Sequence, residues 1–238
     1  MNEKILILPG WGSNSERWQK VKELLEKKGM EVLILDLPGF GRTSSPQEPW
    51  GRDDYINWIF QKVKEKNWQK FNLLGHSFGG GLAAKIATNS SEKINKLILC
   101  APAIIKRKSI KIYLFYWLAF LGKKIFSLHG FKIFYPLSQK LIYKLAGVSN
   151  YYIANGMMKE TMKKIGKEED LGMILEKIKI PTLILWGKKD SVLPAKDAYR
   201  IKEKIEGSEF RIIPKAKHSP HREAPEELAE NIIQFIKS

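Results

Sequence analysis

The sequence predicts an α/β protein: a mostly parallel sheet of about six strands, with helices on both faces. Three observations carry that expectation. Six short apolar runs each stop within two residues of a Gly, Pro or Asp. Most of the segments between them repeat apolar residues at helical spacing. The length, 238 residues, suits one sizeable domain with an insertion better than two full domains. Strands alternating with helices imply a sheet covered on both sides, with ligand-binding groups just past the carboxyl ends of the strands.

The first run, residues 4–8, reads as a buried strand and leads into the loop Pro9-Gly10-Trp11-Gly12. Ser13 or Asn14 suits the cap of a helix over 15–28, with Trp18, Val21, Leu24 and Leu25 on one face and Gly29 ending it. Residues 31–35 form a second buried strand that closes at Asp36, and a turn-rich loop, 37–42, follows. Over 52–66, Tyr55, Ile56, Ile59, Phe60 and Val63 recur at helical spacing. A third strand, 71–74, runs into Gly75-His76-Ser77-Phe78-Gly79-Gly80-Gly81, where a helix begins at Phe78. Residues 96–100 make a fourth strand. The alternation then breaks from about 103 to 178. It resumes with a strand over 182–186, a helix from Pro194 to 205, a strand over 209–213 and a helix over 225–237. The expected organisation is therefore a core of 1–102 and 179–238, with 103–178 inserted as a helical cap over Ser77.

Composition narrows the class. The single cysteine, Cys100, has no partner for an internal disulfide, which points to a reducing compartment. The apolar stretch before Pro9 is four residues long, too short for a signal h-region, and no apolar run reaches membrane-span length. A cytoplasmic protein is expected, with attachment at a membrane surface as the variant. The formal net charge is +16, and residues 103–168 hold thirteen Lys or Arg against two Glu, a net +11.

Ser77 sits where a strand gives way to a helix between glycines, a context that projects a hydroxyl above the sheet. A hydroxyl is a poor nucleophile until a base takes its proton, and that base needs a group to orient it. Of four histidines, His76 lies inside the turn with its side chain directed away from Ser77, and His129 lies in the basic insertion. His218 and His221 follow the last strand; His218 is nearer the strand end and is the expected base, with His221 shaping the entrance. Asp190 follows the Trp186-Gly187 turn and gives the order Ser…Asp…His. Asp197 falls further along, on a helix, and Asp36 precedes the turn. The plain alternative is an incidental serine in a glycine-rich turn and an aspartate that only caps a turn. The backbone N–H of Phe78 and that of Trp11 are expected to face the oxyanion. No metal or cofactor is implied.

These residues carry a resemblance. Gly75-His76-Ser77-Phe78-Gly79-Gly80, the segment 35–42, Leu185-Trp186-Gly187-Lys188-Lys189-Asp190 and the segment 218–225 together resemble the α/β-hydrolase superfamily, in its group of small esterases and carbon–carbon hydrolases. Pro9-Gly10-Trp11-Gly12-Ser13-Asn14 is similar to the oxyanion segment of pimeloyl-acyl-carrier-protein methyl esterases. The resemblance implies the α/β-hydrolase fold and a triad of Ser77, Asp190 and His218. Three departures stand out: Pro9-Gly10 replaces the usual His-Gly, Lys217 replaces a glycine, and the two antiparallel strands that usually begin the fold are missing. Serine at the turn, where the resembling dehalogenases and epoxide hydrolases carry aspartate, argues against those chemistries.

Within the insertion, residues 112–121 are apolar around the whole helical circumference and flanked by Lys106, Arg107, Lys108, Lys111, Lys123 and Lys124. One reading is cap packing with solvated lysines outside. The other is an apolar acyl or aromatic pocket, formed by Trp11, Phe78, Trp117 and Phe120, under a basic rim that attracts an acidic carrier protein, a CoA ester or an anionic membrane surface. Nothing resembles a nucleic-acid recognition element. The expected activity is hydrolysis of a small-molecule carboxylic ester through an acyl-enzyme on Ser77. A thioesterase or carbon–carbon hydrolase is the alternative on the same fold, and a non-catalytic membrane- or carrier-docking protein the alternative of another class. The oligomeric state is left open.

Overall fold

A computed structural model of the chain describes residues 2–106 and 156–238. Trp117, Phe120, His129 and most of the basic, aromatic insertion lie outside those residues. Six strands, β1 (Lys4–Leu8), β2 (Glu31–Ile34), β3 (Phe71–His76), β4 (Ile94–Cys100), β5 (Thr182–Gly187) and β6 (Glu209–Ile213), form one open sheet. Their order is β2-β1-β3-β4-β5-β6, and every neighbouring pair is parallel. The helices are α1 (Gln19–Glu26), α2 (Arg52–Glu65), α3 (Phe78–Asn89), α4 (Gly156–Lys167), α5 (Lys196–Lys204), the short α6 (Pro220–Glu223) and α7 (Pro225–Lys237).

Alternation along the strands divides the core into two layers. Leu6, Leu8, Leu73, Leu97, Leu99, Ile184 and Trp186 face one side, where Tyr55, Ile59, Leu82, Ala83 and Ile201 of α2, α3 and α5 cover them. Ile5, Ile7, Leu74, Ile98, Leu183 and Leu185 face the other, under Val21 and Leu25 of α1 and Leu228, Ile232 and Phe235 of α7. Helices cover both faces of the parallel sheet, which is why its central strands are apolar runs rather than alternating ones. At α7 the sequence marks both ends: Pro225 at the first position, Glu226 and Glu227 in the first turn, Lys237 in the last.

The structure departs from the sequence reading at four elements. The helix expected over 15–28 begins as a 3-10 turn, Ser15–Trp18, whose cap Asn14 accepts from the Arg17 N–H at 3.3 Å; α1 follows it. β2 is an edge strand with one partner and stays half-buried. Pro194 does not open α5, which starts at Lys196, because the preceding residues are used in a turn on Asp190. Helix α6 breaks what reads as a loop. In the interrupted segment, α4 lies on the loop after β2: the Trp50 N–H donates to Thr161 Oγ1 at 3.1 Å, and Lys164 pairs with Asp54 at 3.1 Å. Just beyond it, Glu168 pairs with Arg52 at 2.8 Å.

Strand order determines where the site can be. From β1 the chain steps outward to β2, then crosses back to β3 on the other side of β1. The loops leaving β1 and β3 therefore open into one crevice at the carboxyl edge, the position where such sheets bind ligands. Among the described residues no helix is long and apolar enough to cross a membrane.

Leu74 is fully buried between α1, α7 and the sheet. Leu74→Ala is expected to cost about 2–5 kcal/mol of unfolding free energy, read from urea denaturation. A loss under about 1 kcal/mol would contradict the two-layer packing.

Candidate active site

The turn at Ser77 is held in an unusual backbone shape. Ser77 has φ 50° and ψ −114°, a conformation that L-residues rarely adopt. Backbone hydrogen bonds fix it: the Ser77 N–H donates to the Cys100 carbonyl at 3.1 Å, and the Ala103 N–H to the Ser77 carbonyl at 2.8 Å. Side chains are excluded on either side. A Cβ at Gly79 would overlap the Leu8 and Pro9 carbonyls, and one at Gly75 would overlap the Gly79 backbone. Helix α3 starts at the next residue, so the positive end of its dipole lies at Ser77.

Two loops bring partners to that hydroxyl. His218 Nε2 lies 3.1 Å from Ser77 Oγ, and His218 Nδ1 lies 2.8 Å from Asp190 Oδ2. The Asp190 side chain is fully buried. Its other oxygen, Oδ1, accepts the N–H groups of Val192 at 2.8 Å and Leu193 at 2.9 Å. Asp190 thus caps its turn and also holds the imidazole; the two roles use different oxygens. With a carboxylate at Nδ1, the proton of neutral His218 sits on Nδ1, and Nε2 presents its lone pair to the Ser77 hydroxyl.

A third contact joins the elbow to the histidine loop. His76 is buried, and its Nε2 donates to the His218 carbonyl at 2.7 Å. Burial, and then the neighbouring His218, push the His76 pKa down to about 4. His221 borders the cavity at Ser77 and is buried there rather than exposed. It is buried on α6 and stacked on Trp18, with ring centroids 4.2 Å apart and planes 3° from parallel. Burial is the main cause of its pKa falling far below the usual imidazole value, with the charges of His76 and Arg222 next. Glu223 pins the same loop, accepting the Lys217 N–H at 2.6 Å and the Ser219 N–H at 3.3 Å. Lys217 contributes its backbone here.

Beside Ser77, Trp11 packs edge-on against Phe40 at 4.9 Å and Phe78 at 5.3 Å, and Phe78 meets Tyr55 at 5.3 Å. Among the described residues the Trp11 N–H makes no backbone hydrogen bond, and the Phe78 N–H is the first of α3. Asp36 takes no part with His218. Its oxygens accept the Ser15 N–H at 2.5 Å and the Arg42 N–H at 3.0 Å, tying the loops after β1 and β2 together. Asp197 lies buried on α5 and borders a separate cavity of about 250 Å³. A cavity of about 350 Å³ opens at Ser77, bordered by Trp11, Arg17, His218, His221 and Arg222 among others. Among the described residues no group of three or more His, Cys, Asp or Glu could hold a metal ion. The structure therefore brings Ser77, Asp190 and His218 together and sets Trp11 and Phe78 beside them.

A family model described as serine aminopeptidase, S33, matches residues 1–225. The chain belongs to this family. It is a hydrolase of the α/β-hydrolase superfamily, in the group that includes esterases. The AB hydrolase superfamily protein YisY of Bacillus subtilis is 29% identical, over 98% of this chain and 91% of its own length. The pimeloyl-[acyl-carrier protein] methyl ester esterase of Pectobacterium atrosepticum is 26% identical over 100% of this chain and 95% of its own. Among solved structures, an esterase from Exiguobacterium antarcticum superposes with a TM-score of 0.75 at 23% identity, covering 100% of this chain and 92% of that one. The six-stranded parallel sheet is this hydrolase fold in an open form.

The buried imidazoles of this hydrolase make it sensitive to acid in a defined window. His76 and His221 stay neutral when folded, but protonate near pH 6.5 once exposed by unfolding. The unfolded state then binds more protons, so stability is complete above pH 6.5 and falls as pH drops toward 4, by up to about 1.4 kcal/mol per pH unit for each group. Urea midpoints are expected to fall from pH 6.5 to 5, and less steeply in His221→Phe, which keeps an aromatic ring on Trp18. An unchanged slope in the variant would assign the protons elsewhere.

Proposed function

We propose that the chain hydrolyses carboxylic esters through an acyl-enzyme on Ser77. One observation supports this above the rest: a hydroxyl on a strained turn, a single imidazole and a fully buried carboxylate are joined by hydrogen bonds of 3.1 and 2.8 Å. In this reading His218 Nε2 takes the Ser77 proton as Oγ attacks the ester carbonyl. Asp190 steadies the imidazolium that forms. The negative oxygen of the tetrahedral intermediate faces the N–H groups of Trp11 and Phe78, where the dipole of α3 also points. Collapse of the intermediate expels the alcohol, protonated by His218, and a water repeats the sequence to free the acid.

His76 acts in this scheme as a positioning residue, because it grips the backbone of His218 and not the reacting atoms. The aromatic edges of Trp11, Phe40 and Phe78 suit the acyl group. The methyl ester esterase among the relatives supports an ester substrate, and the net +11 of residues 103–168 supports an anionic partner such as an acidic carrier protein.

A fluorophosphonate probe is expected to label wild-type protein and not Ser77→Ala. His218→Ala should lower turnover of 4-nitrophenyl butyrate on the order of 10³-fold or more, since the three residues act as a unit. Turnover within tenfold of wild type would remove His218 from the role of base. Faster cleavage of butyryl thioesters or of 1,3-diketones than of oxygen esters would move the reading to those substrates.

A further inference from the structure

We propose that the cavity beside Ser77 is a subsite for a negatively charged departing alcohol, one bearing a phosphate or a carboxylate. The proposal rests on the ester-hydrolase reading and names its substrate class.

Position comes first. The leaving oxygen receives its proton from His218 Nε2, so the departing group must lie on the His218 side of Ser77. The cavity of about 350 Å³ is walled there by His218, Ser219, Val192 and Arg222. Of the aromatic residues near Ser77, Trp11 also borders this cavity, and Phe40 and Phe78 do not.

Charge comes next. Arg17, from the 3-10 turn, and Arg222, from α6, both border the cavity. Neither forms an ion pair with a described residue, because the nearby acids are engaged elsewhere. Glu16 pairs with Arg42 at 3.3 Å, Glu226 with Lys20 at 3.7 Å, and Glu223 accepts loop amides. Both guanidiniums contribute to lowering the His221 pKa, although burial is the larger cause; their positive field reaches the cavity wall. Two guanidiniums without a carboxylate make a site for an oxyanion, which each can bind through two N–H groups.

Polarity agrees. Ser13 Oγ, His76 Nδ1 and His221 Nδ1 are buried, lack hydrogen-bond partners among the described residues, and belong to residues that border this cavity. The residues that carry these atoms, together with Ser77, Ser191, His218 and Ser219, give the cavity a largely polar border. His76 donates its Nε2–H to the His218 carbonyl, so its Nδ1 is an acceptor, packed against Gly10.

The test compares the butyrate monoesters of glycerol, glycerol 3-phosphate and glyceric acid in wild type, Arg17→Gln and Arg222→Gln. The readout is the ratio of kcat/KM for charged over neutral ester, which a general loss of folded enzyme does not move. Wild type is expected to favour one charged ester at least about tenfold, the better of the two identifying phosphate or carboxylate, and each variant to lower that ratio about tenfold through KM. A ratio near one in wild type, or one unchanged in both variants, overturns the proposal. So does a preference for charge on the acyl side, read with 4-nitrophenyl hemisuccinate against 4-nitrophenyl butyrate and lost in the same variants. Failure to cleave any ester would instead remove the esterase reading. The subsite is then read by calorimetric titration of glycerol 3-phosphate and glycerate: binding of one to wild type and not to the variants sustains it, and binding of neither overturns it.

Discussion

Backbone meets backbone where α3 leaves the sheet, and the site depends on that contact. Gly79 lies so close to the Leu8 and Pro9 carbonyls that no side chain fits between them. The approach does two things at once. It draws the loop after β1, with the Trp11 amide, toward the start of α3. It also forces the chain into the sharp turn that gives Ser77 its positive φ. The strain at Ser77 is sustained by hydrogen bonds to Cys100, at the end of β4, and to Ala103, just past it, so the hydroxyl is raised from the sheet's edge.

Electrostatics around the turn follow from burial. Asp190 has no exposed side-chain surface, and it is stabilised as a carboxylate by two amides and one imidazole. His76 and His221 sit close by and are kept neutral by the same exclusion of water. Under the proposed mechanism that neutrality serves His218: a charged ring at His76, with centroids 5.1 Å apart, would oppose the imidazolium that His218 forms there. The buried Asp190 carboxylate then makes its hydrogen bond to one histidine of the three, His218.

The parts legible in the sequence were those whose residue type is chemically demanding and whose place is local. Glycines about a serine at a strand end, an aspartate after the next-to-last strand and a histidine after the last each announce themselves. What the sequence did not reveal depends on meetings between distant loops. His221 follows a serine and a proline and reads as an exposed loop residue; Pro220 in fact begins α6, and the ring finds Trp18 near the other end of the chain. Asp36 ends a strand just as Asp190 does, and only the fold shows its oxygens spent on Ser15 and Arg42. Residues 31–35 are apolar like the other strands, yet strand order leaves β2 at an edge. Arg17 carries no signal in the sequence at all; it matters only because the 3-10 turn delivers it to the cavity.

The surroundings of Ser77 are mixed, and that mixture bears on the substrate more than the chemistry of the three residues does. The aromatic edges of Trp11, Phe40 and Phe78 meet a cavity bordered by Arg17 and Arg222. Under the proposed esterase reading, a nonpolar ester would leave the two arginines unused. The excess charge of residues 103–168 has the same sign as Arg17 and Arg222 but acts over a different range. A diffuse positive field draws anions from a distance and weakens with salt, whereas guanidiniums at a cavity wall act at contact and are screened far less once the ligand is seated. Under the proposed reading the first raises the rate of encounter, and the second selects which end of an ester lies beside His218.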